Sequence, residues 1–306
     1  MKFLSYGPYL IIIAAVLWAL DGIIRRSLYT LPPITIVFFE HLIGALILLP
    51  FVLTKFRKEK ITRRDLTLVG VVSLLSSLLG TLWFTTALLK VNFISFSVVY
   101  LLQKLQPIFA ITAAVILLKE KLNPNFLKWA FLALISAYFV TFKDGLVNLN
   151  TGSGTVIAAL FAIGAAFAWG SSTAISKMAL SKNNPTYITG LRFIFTSFMA
   201  LVGVYFLGQS NTLTSVNFSQ LSRFAFIAVS TGMVALLIYY HGLKKTEAKI
   251  STLLELVYPL LAVAIDTYLF KTILAPSQYI AALVLLFSVY NITKLQKVPS
   301  IETAKA

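Results

Sequence analysis

One stretch constrains this chain more than any other. Residues 101–120, LLQKLQPIFAITAAVILLKE, are long and apolar enough to cross a bilayer, yet Gln103, Lys104, Gln106 and Pro107 stand in their middle. A proline in a helix interior removes one backbone donor and clashes with the carbonyl four residues back. A lysine at the bilayer centre costs roughly 2.5–3.5 kcal/mol on insertion scales. The same feature returns in residues 253–272, LLELVYPLLAVAIDTYLFKT, where Pro259 follows Pro107 by 152 residues. Polar, broken spans at matching places in two halves are the sequence pointer to a binding site in membrane transporters.

The rest of the chain agrees with a polytopic all-α membrane protein. Ten runs meet the criterion of about 20 apolar residues: 8–25, 34–54, 66–89, 94–118, 126–142, 155–177, 186–207, 221–242, 249–270 and 276–295. The fifth is short. Hydrophobic residues make up 58% and charged residues 12%, against about 25% charged in soluble domains, so no soluble domain fits between the runs. With no cysteine, disulfides, thiolate metal sites and a cysteine nucleophile are excluded. Two histidines argue against a His-rich metal site, and no cofactor is expected. The net charge of +16 is read as basic residues retained on cytoplasmic loops, not as a nucleic-acid surface. The N-terminus has signal-peptide features, but Trp18 belongs to an internal repeat, so the first span is expected to be retained.

Ten spans place both termini on one side. The loops on that side carry 18 of the Lys and Arg residues and those on the other carry 6, with Lys104 and Arg192 inside spans. The asymmetry predicts cytoplasmic termini in the cell membrane. The halves, residues 1–150 and 151–306, also align. AAVLWAL around Trp18 answers AAFAWGS around Trp169, and Trp18 to Pro107 is 89 residues where Trp169 to Pro259 is 90. Each half holds five spans. Since five is odd, the second half enters the membrane inverted, giving a 5+5 repeat with its pseudo-two-fold axis in the membrane plane.

These residues resemble the drug/metabolite transporter superfamily and, within it, the EamA-like branch. The resemblance rests on Trp18-Ala19 and Trp169-Gly170 near the ends of spans 1 and 6, and on Ala87-Leu88 and Gly242-Leu243 ending spans 3 and 8. It rests above all on Pro107 followed by Glu120. It implies a central cavity lined by spans 1, 3, 4, 6, 8 and 9, and alternating access for small metabolites. The chain departs from the pattern at two positions: Thr272 answers Glu120, and Glu40 stands where the counterpart of Arg192 is expected.

Several ionisable residues fall within spans. Glu255 and Asp266 are eleven residues apart in span 9, on one helix face and about 16 Å apart along it. Such a pair suits a proton or cation path, and Glu255 is the first candidate for coupling protons. Alternatively Glu255 pairs with Lys104 or Arg192, and Asp266 with Lys271. Lys104, beside Gln103, either fixes a substrate carboxylate or neutralises Glu255. Arg192 reads as a conformational lock near the cytoplasmic face, and Glu40 as a packing or gating ion pair outside the main cavity wall. Asp21 and Arg25, spaced i and i+4, read as a local salt bridge. Trp83, Tyr100 and Tyr258 sit away from span ends and could pack against a substrate or cation. Pro107 and Pro259 are candidate hinges.

The function expected is secondary transport of a small organic metabolite, an amino acid, amine or similar, with protons as the candidate coupling ion. An intramembrane enzyme and a channel are the alternatives. No nucleotide-binding P-loop, hydrolase elbow or metalloprotease motif is present, and no filter or repeated charged ring favours a channel. Substrate identity and oligomeric state do not follow from the sequence.

Overall fold

The computed structural model describes residues 7–28, 30–56, 58–91, 98–149, 152, 154–270 and 273–295, without the side chains of 22–26, 98, 266, 269 and 270. Among them the chain is helical: α1 (Gly7–Arg26), α2 (Pro33–Phe56), α3 (Arg63–Val72), a π-helical segment (Ser73–Gly80), α4 (Thr81–Lys90), α5 (Val98–Gln103), α6 (Gln106–Leu118), α7 (Pro124–Thr141), α8 (Thr155–Leu180), α9 (Pro185–Phe206), α10 (Thr212–Ser215), α11 (Phe218–Val229), α12 (Met233–Lys245), α13 (Ala248–Leu254), α14 (Val257–Phe270) and α15 (Pro276–Leu295). Eight helical rods are long and apolar enough to cross a membrane. Four are composite: Arg63–Lys90, Val99–Leu118, Phe218–Lys245 and Ala248–Ile265. The apolar described part of α1, Gly7–Asp21, is shorter, and α7 lies outside the eight, matching the short fifth run.

Local chemistry sets the helix starts. Pro33, Pro124 and Pro185 open α2, α7 and α9, at positions where a missing N–H costs no helical bond. Asn123 accepts a hydrogen bond from the Phe126 amide at 2.7 Å, and Asn184 caps the amide of Thr186 at 2.9 Å. Thr62 with Asp65 and Asn217 with Gln220 form capping boxes.

Packing follows membrane rules. Outward faces carry large apolar residues such as Phe198, Phe206, Leu283 and Phe287, all exposed. The helix at the centre, α8, buries a small-residue face of Ala158, Ala162, Ala165, Ala166 and Gly170. Small residues let backbones approach closely where no hydrophobic drive separates protein from lipid. A Cβ added to Gly170 would lie 2.5 Å from the Gln106 carbonyl oxygen, so glycine is what allows α6 to touch α8. The closest pairings are α2 with α9, α7 with α15, α6 with α8, and α1 with α12. In addition α1 rests on α14, while α8 rests on α4 and α5.

All four composite rods are broken near mid-length. The two prolines lie just after two of the breaks. Lys104 and Leu105 close short turns by donating to Leu101 and Leu102, and α6 begins with Gln106-Pro107. Leu256 donates to Leu253, and α14 then begins with Val257, Tyr258 and Pro259. Each proline thus sits in the first turn of a new helix. The other two breaks have no proline. In one, residues 73–80 widen into the π segment, where the Trp169 indole N–H donates to the freed Ser76 carbonyl at 3.0 Å. A Cβ on Gly80 would lie 2.6 Å from that indole nitrogen. In the other, Ser230 to Gly232 interrupts α11 and α12, with the Gly232 amide donating to Ile227 at 2.7 Å.

Candidate functional site

The four breaks surround a cavity of about 400 Å³, within the 300–1,000 Å³ of small-molecule sites. Its wall takes residues from α1, α2, the π segment, α4, α5, α6, α7, α8, α9, α12, α13 and α14, and from the turns between them. Broken helices suit such a place, since irregular backbone at membrane depth is tolerated where it lines a cavity.

Two aromatic pairs stand on the wall in matching arrangements. Trp18 of α1 meets Tyr239 of α12 with ring centroids 5.1 Å apart and planes at 53°. Trp169 of α8 meets Phe84 of α4 at 5.1 Å and 57°. Tyr100 makes an edge contact with Phe84 at 6.2 Å. All five line the cavity, as does Tyr258. Trp83 does not; it lies against α8, where a Cβ added to Gly164 would be 3.0 Å from its ring. The neighbouring Phe84 takes the wall position expected of Trp83, because helix rotation, not composition, decides which of two adjacent aromatics faces inward.

A polar chain crosses the site between the two proline-marked breaks. The Ser251 hydroxyl donates to the Tyr239 hydroxyl at 3.2 Å, and Tyr239 donates to Glu255 Oε1 at 2.7 Å. Gln106 Nε2 donates to Glu255 Oε2 at 3.3 Å, and Gln103 Nε2 donates to Gln106 Oε1 at 3.2 Å. Glu255 forms no salt bridge with Lys104 or Arg192. The alternative reading of a Glu255 ion pair is therefore not met: neutral donors on two neighbouring rods hold this carboxylate. Lys104 lines the same cavity, and among the described residues its ammonium has no hydrogen-bond or ion-pair partner. Thr252, one turn before Glu255, also lines the cavity, and its buried hydroxyl has no partner.

Arg192 is placed differently from the lock expected near a membrane face. It is 8% exposed and reaches the cavity wall. Nε donates to the Ser77 hydroxyl at 2.6 Å, one terminal nitrogen donates to Ser76 at 2.7 Å, and the other donates to Tyr240 at 2.6 Å. The Tyr240 hydroxyl also pairs with Ser176 of α8 at 3.0 Å. The guanidinium thus joins α9, the π segment, α12 and α8. Ser76 and Ser77 carried no signal on their own in the sequence. Their clustering in SLLSSLLG marks the π segment only once Arg192 is seen beside it.

Glu40 and His41 both line the cavity and are each 6% exposed. The expectation that this stretch of the second span stays outside the wall is corrected. The reason is the tight contact of α2 on α9, where His41 packs on Phe193 at 4.9 Å. Asp21 accepts a hydrogen bond from Thr231 at 2.5 Å and also reaches the wall. The side chains of Arg25 and Asp266, and the whole of Lys271, lie outside the described residues, so neither salt bridge expected of them is described.

The cavity stops short of the end that carries Gly7. There Glu120 accepts the backbone amides of Ala248 and Lys249 at 2.7 and 3.0 Å, closing the start of α13. Lys177 donates to the carbonyls of Leu243 and Thr246 at 2.9 and 2.5 Å, closing the end of α12. A carboxylate at a helix start and an ammonium at a helix end both complement the helix dipole. Neither residue lines the cavity, whereas Asp21, Leu88 and Thr141, toward the other ends of their helices, do.

Comparison with known proteins gives a consistent result. The sequence pattern of the EamA-like transporter family matches residues 5–142 and again 156–294. Riboflavin transporter ImpX of Fusobacterium nucleatum subsp. nucleatum is 36% identical over 293 residues, covering 94% of this chain and 98% of that protein. An uncharacterized transporter of Clostridium kluyveri is 23% identical over 84% of this chain and 83% of its own length. A solved crystal structure superposes with a TM-score of 0.73 over 98% of this chain and 99% of its own, at 14% identity.

Proposed function

The chain belongs to the EamA-like transporter family, and from that premise we propose that it carries flavins, riboflavin first, across the cell membrane by alternating access. That it is a membrane transporter and not an enzyme follows from the family. The substrate class is our reading. The observation that carries it is the matched pair of aromatic walls, Trp18 with Tyr239 and Trp169 with Phe84, each joining one half of the chain to the other. Aromatic contacts are worth about 0.5–1.5 kcal/mol each beyond burial, and two walls favour a flat tricycle over the amino acid or amine expected earlier. The substrate named for the 36%-identical relative supports the same class.

The architecture we propose is ten spans in two inverted five-span repeats. Two separate family matches support it. So does the packing, in which α1 on α12 and α14 answers α8 on α4 and α6, while α2 on α9 and α7 on α15 pair equivalent rods. With the basic loops and both termini in the cytoplasm, the end closed by Glu120 and Lys177 is the inner one, and the cavity faces out.

The test is counterflow. Proteoliposomes loaded with unlabelled riboflavin should accumulate labelled riboflavin from outside, with saturable kinetics. An enzyme gives no counterflow, and a channel gives no saturation. Absence of riboflavin counterflow, together with counterflow of an amine or amino acid, overturns the substrate class and leaves the family intact.

A further inference from the structure

Two polar groups on the cavity wall have no partner among the described residues, and both flank the Glu255 chain. Lys104 stands in the turn between α5 and α6, beside Gln103 and Gln106, whose amides are already engaged. Thr252 is 1% exposed on α13, the helix that packs against α6. Thr252 is a buried polar group, and such groups are nearly always hydrogen-bonded, so the exception calls for an explanation; Lys104 is half-buried on the cavity wall. The other charged groups of the wall whose side-chain contacts are described in full do not raise the question. Arg192 is held by three hydroxyls, and Glu255 is held by Tyr239 and Gln106.

The free groups are chemically biased. An ammonium offers three donors and no acceptor, and a hydroxyl offers one donor and two acceptor lone pairs. A ligand that engages both must present an acceptor to Lys104 and, beside it, a polar group of either kind to Thr252. The pyrimidinedione edge of a flavin carries two carbonyls, the imine-type N1 and the N3–H donor, with the imine-type N5 adjoining, so it fits that demand, whereas a bare aromatic tricycle does not. Resting on the flavin reading above, we propose that Lys104, assisted by Thr252, is the specificity-determining contact that reads the acceptor edge of the substrate while the aromatic walls hold its faces.

The division of labour can be measured by comparing two flat ligands. Riboflavin binding is followed by quenching of its fluorescence on titration with purified protein. Acridine, a tricycle without the carbonyl edge, is measured in the same way. The wild type should bind riboflavin at least about tenfold tighter than acridine, a difference of about 1.4 kcal/mol. Lys104→Met should remove that preference by weakening riboflavin about tenfold, leaving acridine within about twofold, as loss of one charge-assisted hydrogen bond predicts. Thr252→Val, isosteric and free of charge change, should weaken riboflavin about threefold and leave acridine unchanged. It serves as the folded control if Lys104→Met does not yield monodisperse protein. Equal weakening of both ligands in the variants, or no change in either, overturns the proposal and leaves the flavin reading standing. Failure of the wild type to bind riboflavin overturns both.

Discussion

At the scale of single residues, the site separates fixed charges from usable ones. Arg192 has its donors occupied by Ser76, Ser77 and Tyr240 and stacks over the Tyr240 ring at 5.5 Å. It is a tie between rods. Glu255 differs, because its two oxygens accept from a phenol and an amide, groups that also tolerate a protonated carboxyl. Around it the cavity presents Asp21, Glu40, His41, Lys104, Arg192 and Tyr239. If Glu255 couples protons, Glu255→Gln keeps substrate exchange within about twofold but loses transport driven by a pH gradient by about tenfold or more. Exchange and gradient-driven uptake in the same proteoliposomes check this. Normal gradient-driven uptake by folded Glu255→Gln removes the residue from the coupling step and leaves Asp266 as the next candidate. Because no salt bridge joins Lys104 to Glu255, Lys104→Met combined with Glu255→Gln should not restore stability relative to either single change.

At the scale of elements, the cavity is lined by interruptions. Pro107 and Pro259 stand in the first turn of α6 and α14, where they remove no helical hydrogen bond and forbid a continuous rod through the preceding turn. Replacing either with alanine lets the rod straighten. Pro107→Ala and Pro259→Ala should leave folding intact, with thermal stability changed by no more than about 1 kcal/mol. Turnover should fall roughly threefold or more while riboflavin affinity moves less than about twofold, the pattern of a hindered conformational step. Stopped-flow exchange beside equilibrium titration separates the two effects. Unchanged turnover in both variants reduces the prolines to helix punctuation. The breaks at Ser73–Gly80 and at Ser230 to Gly232 were not legible in the sequence. A π turn needs an external donor for its spare carbonyl, and Trp169, 93 residues from Ser76, supplies it.

At the scale of the whole molecule, direction matters. The cavity is closed at the end holding Gly7, where Glu120 caps α13 and Lys177 caps α12. In the orientation we propose from the distribution of Lys and Arg, that end faces the cytoplasm. A reporter active only in the cytoplasm, fused to Ala306, should be active, and a tag within residues 208–220 should be accessible from outside intact cells. An inactive reporter with an inaccessible tag reverses the orientation. Disagreement between the two removes the ten-span arrangement and the inverted repeat with it.

The sequence by itself determined that this is a helical membrane protein, where most of its spans lie, and that helices break at the polar, proline-bearing stretches from Gln103 to Pro107 and from Glu255 to Pro259. Apolar run length and proline geometry are local properties, readable residue by residue. Gln103, Lys104, Tyr100, Glu255 and Tyr258 were all found on the cavity wall for that reason. Only the tertiary structure decided who partners whom. It chose Tyr239 and Gln106 as the partners of Glu255, brought Glu40 and His41 inward, turned Trp83 away in favour of Phe84, and set Ser76 and Ser77 against Arg192. Those outcomes depend on helix rotation and on contacts across more than a hundred residues of chain, such as Glu120 with Ala248 and Arg192 with Ser76. A hydrophobic pattern that is apolar on nearly every face of a span does not encode which face turns inward.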